Sequence, residues 1–338
     1  MKPAFALPFA ALLAAGAVAF SIFSCSSRGP DGIQGFANPP REIKTREVKI
    51  IDARFDNLAF PFWTEDFHRE DCERTGWVFE KSANFLIKYK PDQANITKSV
   101  GDCKKHLEAI RKVFVHEFED HEFTEIPVVR ICSDSDYSYF GGPSGSIGYF
   151  SPHGRRELHF NGESRYDTSL TRAALNHLAF QQFLWYRFGN VQFGPWYTDG
   201  MADYYAGLQF NSSGQFKVKP LGQWAPLIDR VTPVKESLKK GELATIDQLI
   251  RFTRQDIYSN PSIYNSQAWS FIYFLREGEK LGHAPFKPEW NNILKDYLET
   301  VVETNDSGKA VEFAFRNLKG AAMAELETSY HAFIKELK

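Results

Sequence analysis

Residues 174–189 read "ALNHLAFQQFLWYRFG", and this stretch is the starting point for predicting the fold. Apolar side chains recur every three or four residues, which predicts a helix over residues 168–188. The same periodicity predicts six further helices downstream, at 197–208, 244–253, 261–278, 287–303, 308–317 and 322–337. The chain after Thr168 is therefore expected to be almost entirely helical.

The residues before this helix show the shorter periodicity of β-strands. "WVFEKSANFLIKYK" (77–90) alternates like two strands, "IPVVRIC" (126–132) like a third, and "GSIGYFSPHGRRELHFNG" (145–162) like a hairpin. "VKIIDARF" (48–55) is a further candidate strand, and residues 95–118 carry the pattern of an amphipathic helix. We therefore predict an α+β fold, with a small antiparallel sheet followed by a mostly helical C-terminal half.

The first 46 residues are predicted to lie outside this fold. Residues 1–25 contain a long apolar run that ends in "IFSC", which resembles a bacterial lipobox, and residues 26–46 are rich in Gly, Pro and Ser like a flexible tether. This pattern predicts a lipoprotein signal peptide and lipidation of Cys25. The alternative is an uncleaved membrane helix, and both place the chain in the bacterial cell envelope, exported and membrane-anchored.

The remainder is divided into an N-terminal α/β subdomain (47–166) and a helical subdomain (167–338). The formal net charge of −2 offers no basic excess for neutralising phosphates, so a nucleic-acid partner is excluded. Cys72, Cys103 and Cys132 form no C-x-x-C pair, which argues against a structural zinc site. Either two of them form a disulfide, with the pair undetermined, or all three are buried thiols.

The helix at 168–188 carries one histidine, His177, in a position with chemical meaning. Residues four apart share a helix face, and zinc peptidases use H-E-x-x-H to place two histidine ligands and a glutamate base there. This chain has Leu178 at the glutamate position and Gln181 at the second histidine position. The next helix, "GPWYTDGMADYYAG" (194–207), contains Asp199.

These segments, in this order, resemble an uncharacterised bacterial family of peptidase-MA-like gluzincins. The family pattern is roughly H-E-x-x-H-Q-F-L-x-x-R-F-G, then W-x-x-E-G-x-A-E-Y, then a tyrosine shortly before Q-A-W, and the similarity covers about residues 77–335. The matching framework residues are Gln182, Phe183, Arg187, Phe188, Gly189, Trp196, Gly200, Ala202, Tyr204, Tyr264, Gln267, Ala268 and Trp269.

The resemblance implies a role for each position of the site. His177 matches the first zinc ligand, Gln181 stands at the second, and Asp199, one methylene shorter than glutamate, stands at the third. Leu178 replaces the general base and cannot accept a proton, a loss that forfeits ~10²–10⁴ in rate. Tyr264 matches the family's candidate for stabilising an oxyanion.

Three other features have a functional and a structural interpretation. His153 or His159, from the 145–162 hairpin, would supply a replacement zinc ligand. The simpler interpretation is that His153 is a turn residue and His159 a strand residue, without a metal. "VHEFEDHEF" (115–123) places His116, Glu117 and Asp120 at metal-compatible spacing, but a solvated helix end is favoured. "GGPSGS" (141–146) is interpreted as a loop and not as a nucleophile elbow.

Two functional hypotheses follow. In the first, the chain is a catalytically inactive, gluzincin-like protein that uses no cofactor and binds a peptide or protein in the former substrate groove, by strand addition. His177 would then form an imidazole–carboxylate pair with Asp199. In the second, the chain is an active metal-dependent peptidase whose zinc is held by His177, Asp199 and another ligand. The absence of a base at Leu178 and of a ligand at Gln181 favours the first.

Overall fold

A computed structural model describes residues 65–91, 94–118, 126–152, 156–162, 168–212, 214–222 and 228–338. The predicted signal peptide with Cys25, the tether and the candidate strand at 48–55 lie outside the described residues. None of the described helices is long and apolar enough to cross a membrane.

Within the described ranges, the N-terminal part combines five strands with three helices. Its elements are α1 (Glu65–Thr75), β1 (Val78–Lys81), β2 (Leu86–Tyr89), α2 (Ala94–Phe118), β3 (Val128–Cys132), α3 (Asp134–Tyr139), β4 (Gly148–Phe150) and β5 (Glu157–Asn161). The strands predicted within 77–90, 126–132 and 145–162 are confirmed, as is the long amphipathic helix. Residues 141–146 form the predicted loop.

The five strands form one sheet in the order β1-β2-β3-β5-β4. The α+β class is confirmed, but the prediction of an antiparallel sheet is wrong, because the sheet is mixed. β2 pairs with β3, and β3 with β5, in parallel, while the two outer pairings are antiparallel. Parallel neighbours need a long crossover connection. Helix α2 provides one, and α3 with β4 provides the other, which strand periodicity does not reveal.

The C-terminal part is mostly helical, as predicted. Its elements are α4 (Thr168–Phe188), α5 (Pro195–Ala206), the hairpin β6 (Leu208–Phe210) and β7 (Phe216–Val218), α6 (Val231–Lys240), α7 (Ile246–Leu249), α8 (Arg254–Ser259), α9 (Pro261–Glu277), a 3₁₀ turn (Pro288–Asn292), α10 (Ile293–Thr304), α11 (Ser307–Ala314) and α12 (Ala321–Glu336). The helix at 168–188 has the predicted bounds, and the predictions at 197–208, 261–278, 308–317 and 322–337 each differ by at most three residues.

The prediction was wrong where short helices follow one another. The helix predicted at 244–253 is a single turn, α7, and α8 directly after it was not predicted; they begin with capping boxes formed by Thr245 and Thr253. A capping box satisfies the free N–H groups of a helix start, so two caps eight residues apart favour two short helices. Helix α6 was not predicted; it ends at Gly241, which adopts a left-handed φ of 69°.

One connected hydrophobic core extends from Phe85, the residue before β2, to Leu337 near the C-terminus. Leu158 and Phe160 of β5 point into it on the side of the sheet that carries α4. Helices α5 and α9 approach closely at Gly200, where a Cβ atom would lie 2.7 Å from Ile272 Cγ1. The subdomain boundary at 166/167 stays a prediction.

The opposite face of the sheet holds a buried ion network that attaches α1. Arg130 donates to both oxygens of Glu157, at 2.6 and 3.1 Å, and Lys88 donates to the same carboxylate at 2.8 Å. Asp71 of α1 lies 3.4 Å from both cations. The guanidinium is also stacked on the Trp77 ring, 4.4 Å from its centroid. Burial raises the pKa of Glu157, but Arg130 and Lys88 outweigh it and hold the pKa well below its usual value.

Cys72, Cys103 and Cys132 are buried free thiols. Cys72 and Cys132 pack with Trp77 on the α1 side of the sheet, and Cys103 belongs to the main core. Burial raises the pKa of the Cys103 thiol to about 12, so it is protonated at neutral pH. Of the alternatives that the sequence left open, the structure therefore shows three buried thiols.

Candidate functional site

Helices α4 and α5 bring His177 together with a carboxylate, but this carboxylate belongs to Asp203. His177 Nδ1 lies 2.9 Å from Asp203 Oδ1, so the predicted pair with Asp199 is wrong. Asp199 and Asp203 are four residues apart on α5 and share its face, and Asp203 is the member in hydrogen-bonding distance. The family pattern W-x-x-E-G-x-A-E-Y has two acidic positions with the same four-residue spacing, and the second of them corresponds to Asp203. The first acidic position of that pattern, Asp199, was the one predicted to bind.

Asp203 is also bound by an arginine from a distant part of the chain. Arg230, the residue before α6, donates from Nε to Asp203 Oδ2 at 2.7 Å, and both side chains are buried. Burial raises the pKa of the Asp203 carboxyl, but Arg230 and His177 outweigh it and lower the pKa below its usual value. Asp203 is therefore an ionised carboxylate whose two oxygens are both hydrogen-bonded.

Gln181 occupies the other ring nitrogen of His177. The side-chain nitrogen of Gln181 lies 3.0 Å from His177 Nε2, and both residues are buried. A carboxylate only accepts hydrogen bonds, so Nδ1 donates to Asp203, and the side-chain nitrogen of Gln181 only donates, so Nε2 accepts from it. The result is a continuous chain of hydrogen bonds from Gln181 through His177 and Asp203 to Arg230.

Leu178 is a packed core residue. It is 2 % exposed, and its Cδ1 atom lies 2.5 Å from where a Cβ atom would stand on Gly148 in β4. The absence of a side chain at Gly148 thus makes room for the leucine that stands at the general-base position. The side chain at this position therefore packs between α4 and the edge strand and contributes only apolar contacts.

Asp199 lies beside the chain of hydrogen bonds at His177 but is not a member of it. Its carboxylate accepts from Thr198 Oγ1 at 3.2 Å, and Arg254 of α8 approaches to 3.7 Å. Burial raises the pKa of Asp199, an effect that Arg254 and His177 reduce only partly. Asp199 therefore has a weaker set of partners than Asp203.

Tyr264 lies near the start of α9, and its ring packs edge-to-face on Phe252 with centroids 4.9 Å apart. Within the described part of the chain, no hydrogen bond joins its hydroxyl to His177, Gln181 or Asp199. The role implied for Tyr264 by the resemblance therefore stays a prediction.

The replacement ligand from the hairpin is not provided by His159. In β5 the side chains alternate between faces, and Leu158 and Phe160 face α4. His159 points to the opposite face, where it stacks on Tyr149 with ring centroids 4.8 Å apart and lies 3.5 Å from Glu157. The sheet thus separates it from His177. His153 lies outside the described residues.

The His116–Glu117–Asp120 pattern is part of a helix-to-helix contact. His116 is exposed as predicted, but Glu117 accepts from Tyr205 Oη and, at 2.7 Å, from Arg276 of α9. The prediction of a solvated helix end is therefore wrong for Glu117, because it connects α2 to α5 and α9. Asp120 lies outside the described residues.

The residues around His177 do not fit a zinc ion. Zinc needs the Nε2 lone pair, which the Gln181 amide occupies, and a neutral amide is a poor zinc donor. Asp203 has both oxygens bound, and Asp199 lies near Arg254 rather than free. Among the described residues, no group of three His, Cys, Asp or Glu side chains is arranged to hold a metal ion.

Comparison with known proteins gives no family assignment: no family model matches the chain, and none of the curated proteins is similar to it. The gluzincin resemblance therefore rests on the motif residues alone. The hydrogen-bonded chain at His177 is the feature from which a function can be argued.

Proposed function

We propose that this chain is an exported, membrane-anchored protein with a gluzincin-like scaffold that has no zinc catalysis and acts by binding a peptide or protein segment. The observation that carries the proposal is the occupation of both His177 ring nitrogens by Asp203 and Gln181. An imidazole held in this way neither coordinates a metal nor accepts a proton from water. Leu178 offers no substitute base.

The former substrate groove would lie along β4, which is the edge strand of the sheet and packs against α4. Asn161 donates to Ile147 O and Ser151 donates to Glu157 O, so residues 147, 149 and 151 face β5. The backbone groups of Gly148 and Phe150 therefore point away from β5, as strand addition requires. Both residues are buried, so we expect the segment to bind only when the side chains over this edge move aside.

Metal content distinguishes this proposal from an active metallopeptidase. The full chain, purified in detergent, is exposed to zinc, desalted and analysed by mass spectrometry. We expect far less than one zinc per chain and no peptide hydrolysis. One zinc per chain that is lost in Asp199→Ala would refute the proposal and favour the rebuilt metal site.

A gain-of-ligand variant tests the scaffold itself. Asp203 already holds His177 by Nδ1, the arrangement in which a carboxylate orients a zinc-binding imidazole. Gln181→His removes the amide from Nε2 and adds a second imidazole four residues along the helix. If the scaffold is gluzincin-like, this variant binds zinc at one per chain, and the matched variant Gln182→His does not. Equal zinc binding by both variants would contradict the resemblance.

The binding role is tested at the mouth of the site. Arg254 is 36 % exposed in its side chain and lies 3.7 Å from Asp199, so a photo-crosslinking amino acid there labels a segment that binds beside the His177 site. The same probe at Lys309, on the exposed face of α11, serves as the control. A discrete adduct at 254 alone supports a binding role, and equal labelling at both positions contradicts it.

A further inference from the structure

A groove of 740 Å³ lies between α2, the β6–β7 hairpin and the turn after β1. One wall is a single face of α2, on which Gly101 and Ala109 leave space beside the helix. The other wall carries Phe210 and Phe216, and Phe216 is 38 % exposed. This volume lies in the range of ligand-binding clefts. None of these residues belongs to the hydrogen-bonded chain at His177.

The acidic residues of the groove are already hydrogen-bonded. Glu80 accepts from Lys104 at 2.9 Å, and Glu108 accepts from the backbone and side-chain nitrogens of Asn84, at 2.9 and 2.6 Å. Their carboxylates are therefore committed to the fold.

Two lysines of the same wall are available to an anion. Lys105 and Lys112 are exposed, and within the described ranges no carboxylate oxygen lies within 4.0 Å of either ammonium group. Burial raises the pKa of the Glu108 carboxyl, but the hydrogen bonds from Ser82 and Asn84 outweigh it and lower the pKa below its usual value. Lys112 adds only a smaller, longer-range contribution in the same direction. The groove thus combines exposed aromatic surface with two uncommitted positive charges.

The presence of glycine at position 101 is a further argument for a ligand on this wall. A glycine inside a helix costs about 1 kcal/mol relative to alanine. A Cβ atom at Gly101 would meet no other atom within 4 Å, so nothing in the packing of the chain requires glycine there. The missing side chain instead keeps the groove open along the helix.

The spacing of the two lysines indicates the ligand's shape. Seven residues along a helix correspond to about 10 Å between Lys105 and Lys112. In a polyproline II segment, residues three apart lie on the same side and about 9 Å from each other. Such segments also bind to aromatic-lined grooves, because their conformation is preformed.

We propose that this groove binds a polyproline II segment of a partner protein that carries acidic residues at positions i and i+3. The two carboxylates pair with Lys105 and Lys112, and the apolar residues between them pack on Phe216. This site is separate from the groove along β4 and does not depend on the function proposed above.

The test uses a fluorescein-labelled peptide, acetyl-Glu-Pro-Pro-Glu-Pro-Leu-amide, and the full chain in a non-ionic detergent. Fluorescence anisotropy should show saturable binding that weakens with added salt. Two exposed ion pairs turned into repulsions predict a loss of about tenfold in affinity for Lys105→Glu/Lys112→Glu. The control Lys295→Glu/Lys309→Glu changes exposed lysines elsewhere and should bind like the unmodified chain.

Further variants separate the contributions of shape and charge. Gly101→Leu fills the groove and should abolish binding, provided that its circular dichroism melt shows a folded chain. A peptide with Gln in place of Glu should bind about tenfold more weakly. Absence of saturable binding, or equal affinity for the Gln peptide, would overturn the proposal. Lysine-dependent binding to phosphatidylglycerol vesicles without peptide binding would also overturn it, since the partner would then be a lipid surface.

Discussion

The buried ion network on the α1 side of the sheet gives the most quantitative prediction. Glu157 is 0 % exposed and accepts from both Arg130 and Lys88. Glu157→Gln keeps the size of the side chain but removes its charge. Two buried cations then share only Asp71, which lies 3.4 Å from each of them.

The magnitude follows from the cost of leaving buried charges uncompensated. Removing one partner of a buried ion pair costs about 3–5 kcal/mol, a large fraction of a typical folding free energy. For a domain larger than 150 residues, each kcal/mol lowers the melting temperature by about 2–4 °C. We therefore expect Glu157→Gln to melt about 6–20 °C below the unmodified chain.

The assay is thermal unfolding followed by circular dichroism, with the exposed Glu312→Gln as the control. Surface changes of that kind stay within about 0.5 kcal/mol. Combining Glu157→Gln with Lys88→Met removes one of the two buried cations left without Glu157 and should recover part of the lost thermal stability. If Glu157→Gln melts like Glu312→Gln, or if Lys88→Met gives no recovery, the network contributes no net stability and the reasoning is wrong.

Three further predictions concern the pH dependence of stability, the hydrogen-bonded chain at His177 and helix packing. Burial lowers the pKa of His68 from 6.5 to about 4, so between those values the unfolded chain binds more protons. Stability should fall by about 3 kcal/mol as the pH drops through that window, and His68→Asn should flatten this slope in urea titrations. Asp203→Asn leaves the buried Arg230 without its carboxylate and should cost about 3–5 kcal/mol, measured by urea unfolding. Gly200→Ala places a Cβ atom 2.7 Å from a neighbouring helix and should destabilise the fold by about 1–3 kcal/mol. Gly101→Ala places its Cβ atom in open space and should stabilise the fold by up to about 1 kcal/mol. Thermal melts of the two variants should therefore shift in opposite directions.

The helical part of the fold was predictable because its signal is local. Apolar residues at three- and four-residue spacing predicted α4 at 168–188 with its observed bounds. Where the signal was short, periodicity alone failed: it extended the one-turn helix α7 to 244–253 and missed α8, which follows it. The direction of strand pairing was not predictable, because alternation along a strand is the same for parallel and antiparallel neighbours.

The candidate site was predictable only in part. The spacing of His177 and Gln181 guarantees that they share a helix face, and the structure places them in hydrogen-bonding distance. Arg230 carries no sequence signal, since it lies 27 residues from Asp203 and meets it only in the tertiary structure. His159 was excluded by the sheet, because strand alternation turns it away from α4.

The sequence by itself determined that one face of a helix carries His177 and Gln181, with Leu178 next to His177, because helix geometry fixes these relative positions wherever the helix lies. It also determined that no base or second imidazole is present at those positions. Only the tertiary structure decided which groups complete the hydrogen bonds of His177. Buried polar atoms must find partners: Asp203 of α5 binds His177, and Arg230, the residue before α6, binds Asp203. The positions of both depend on the packing of the whole core.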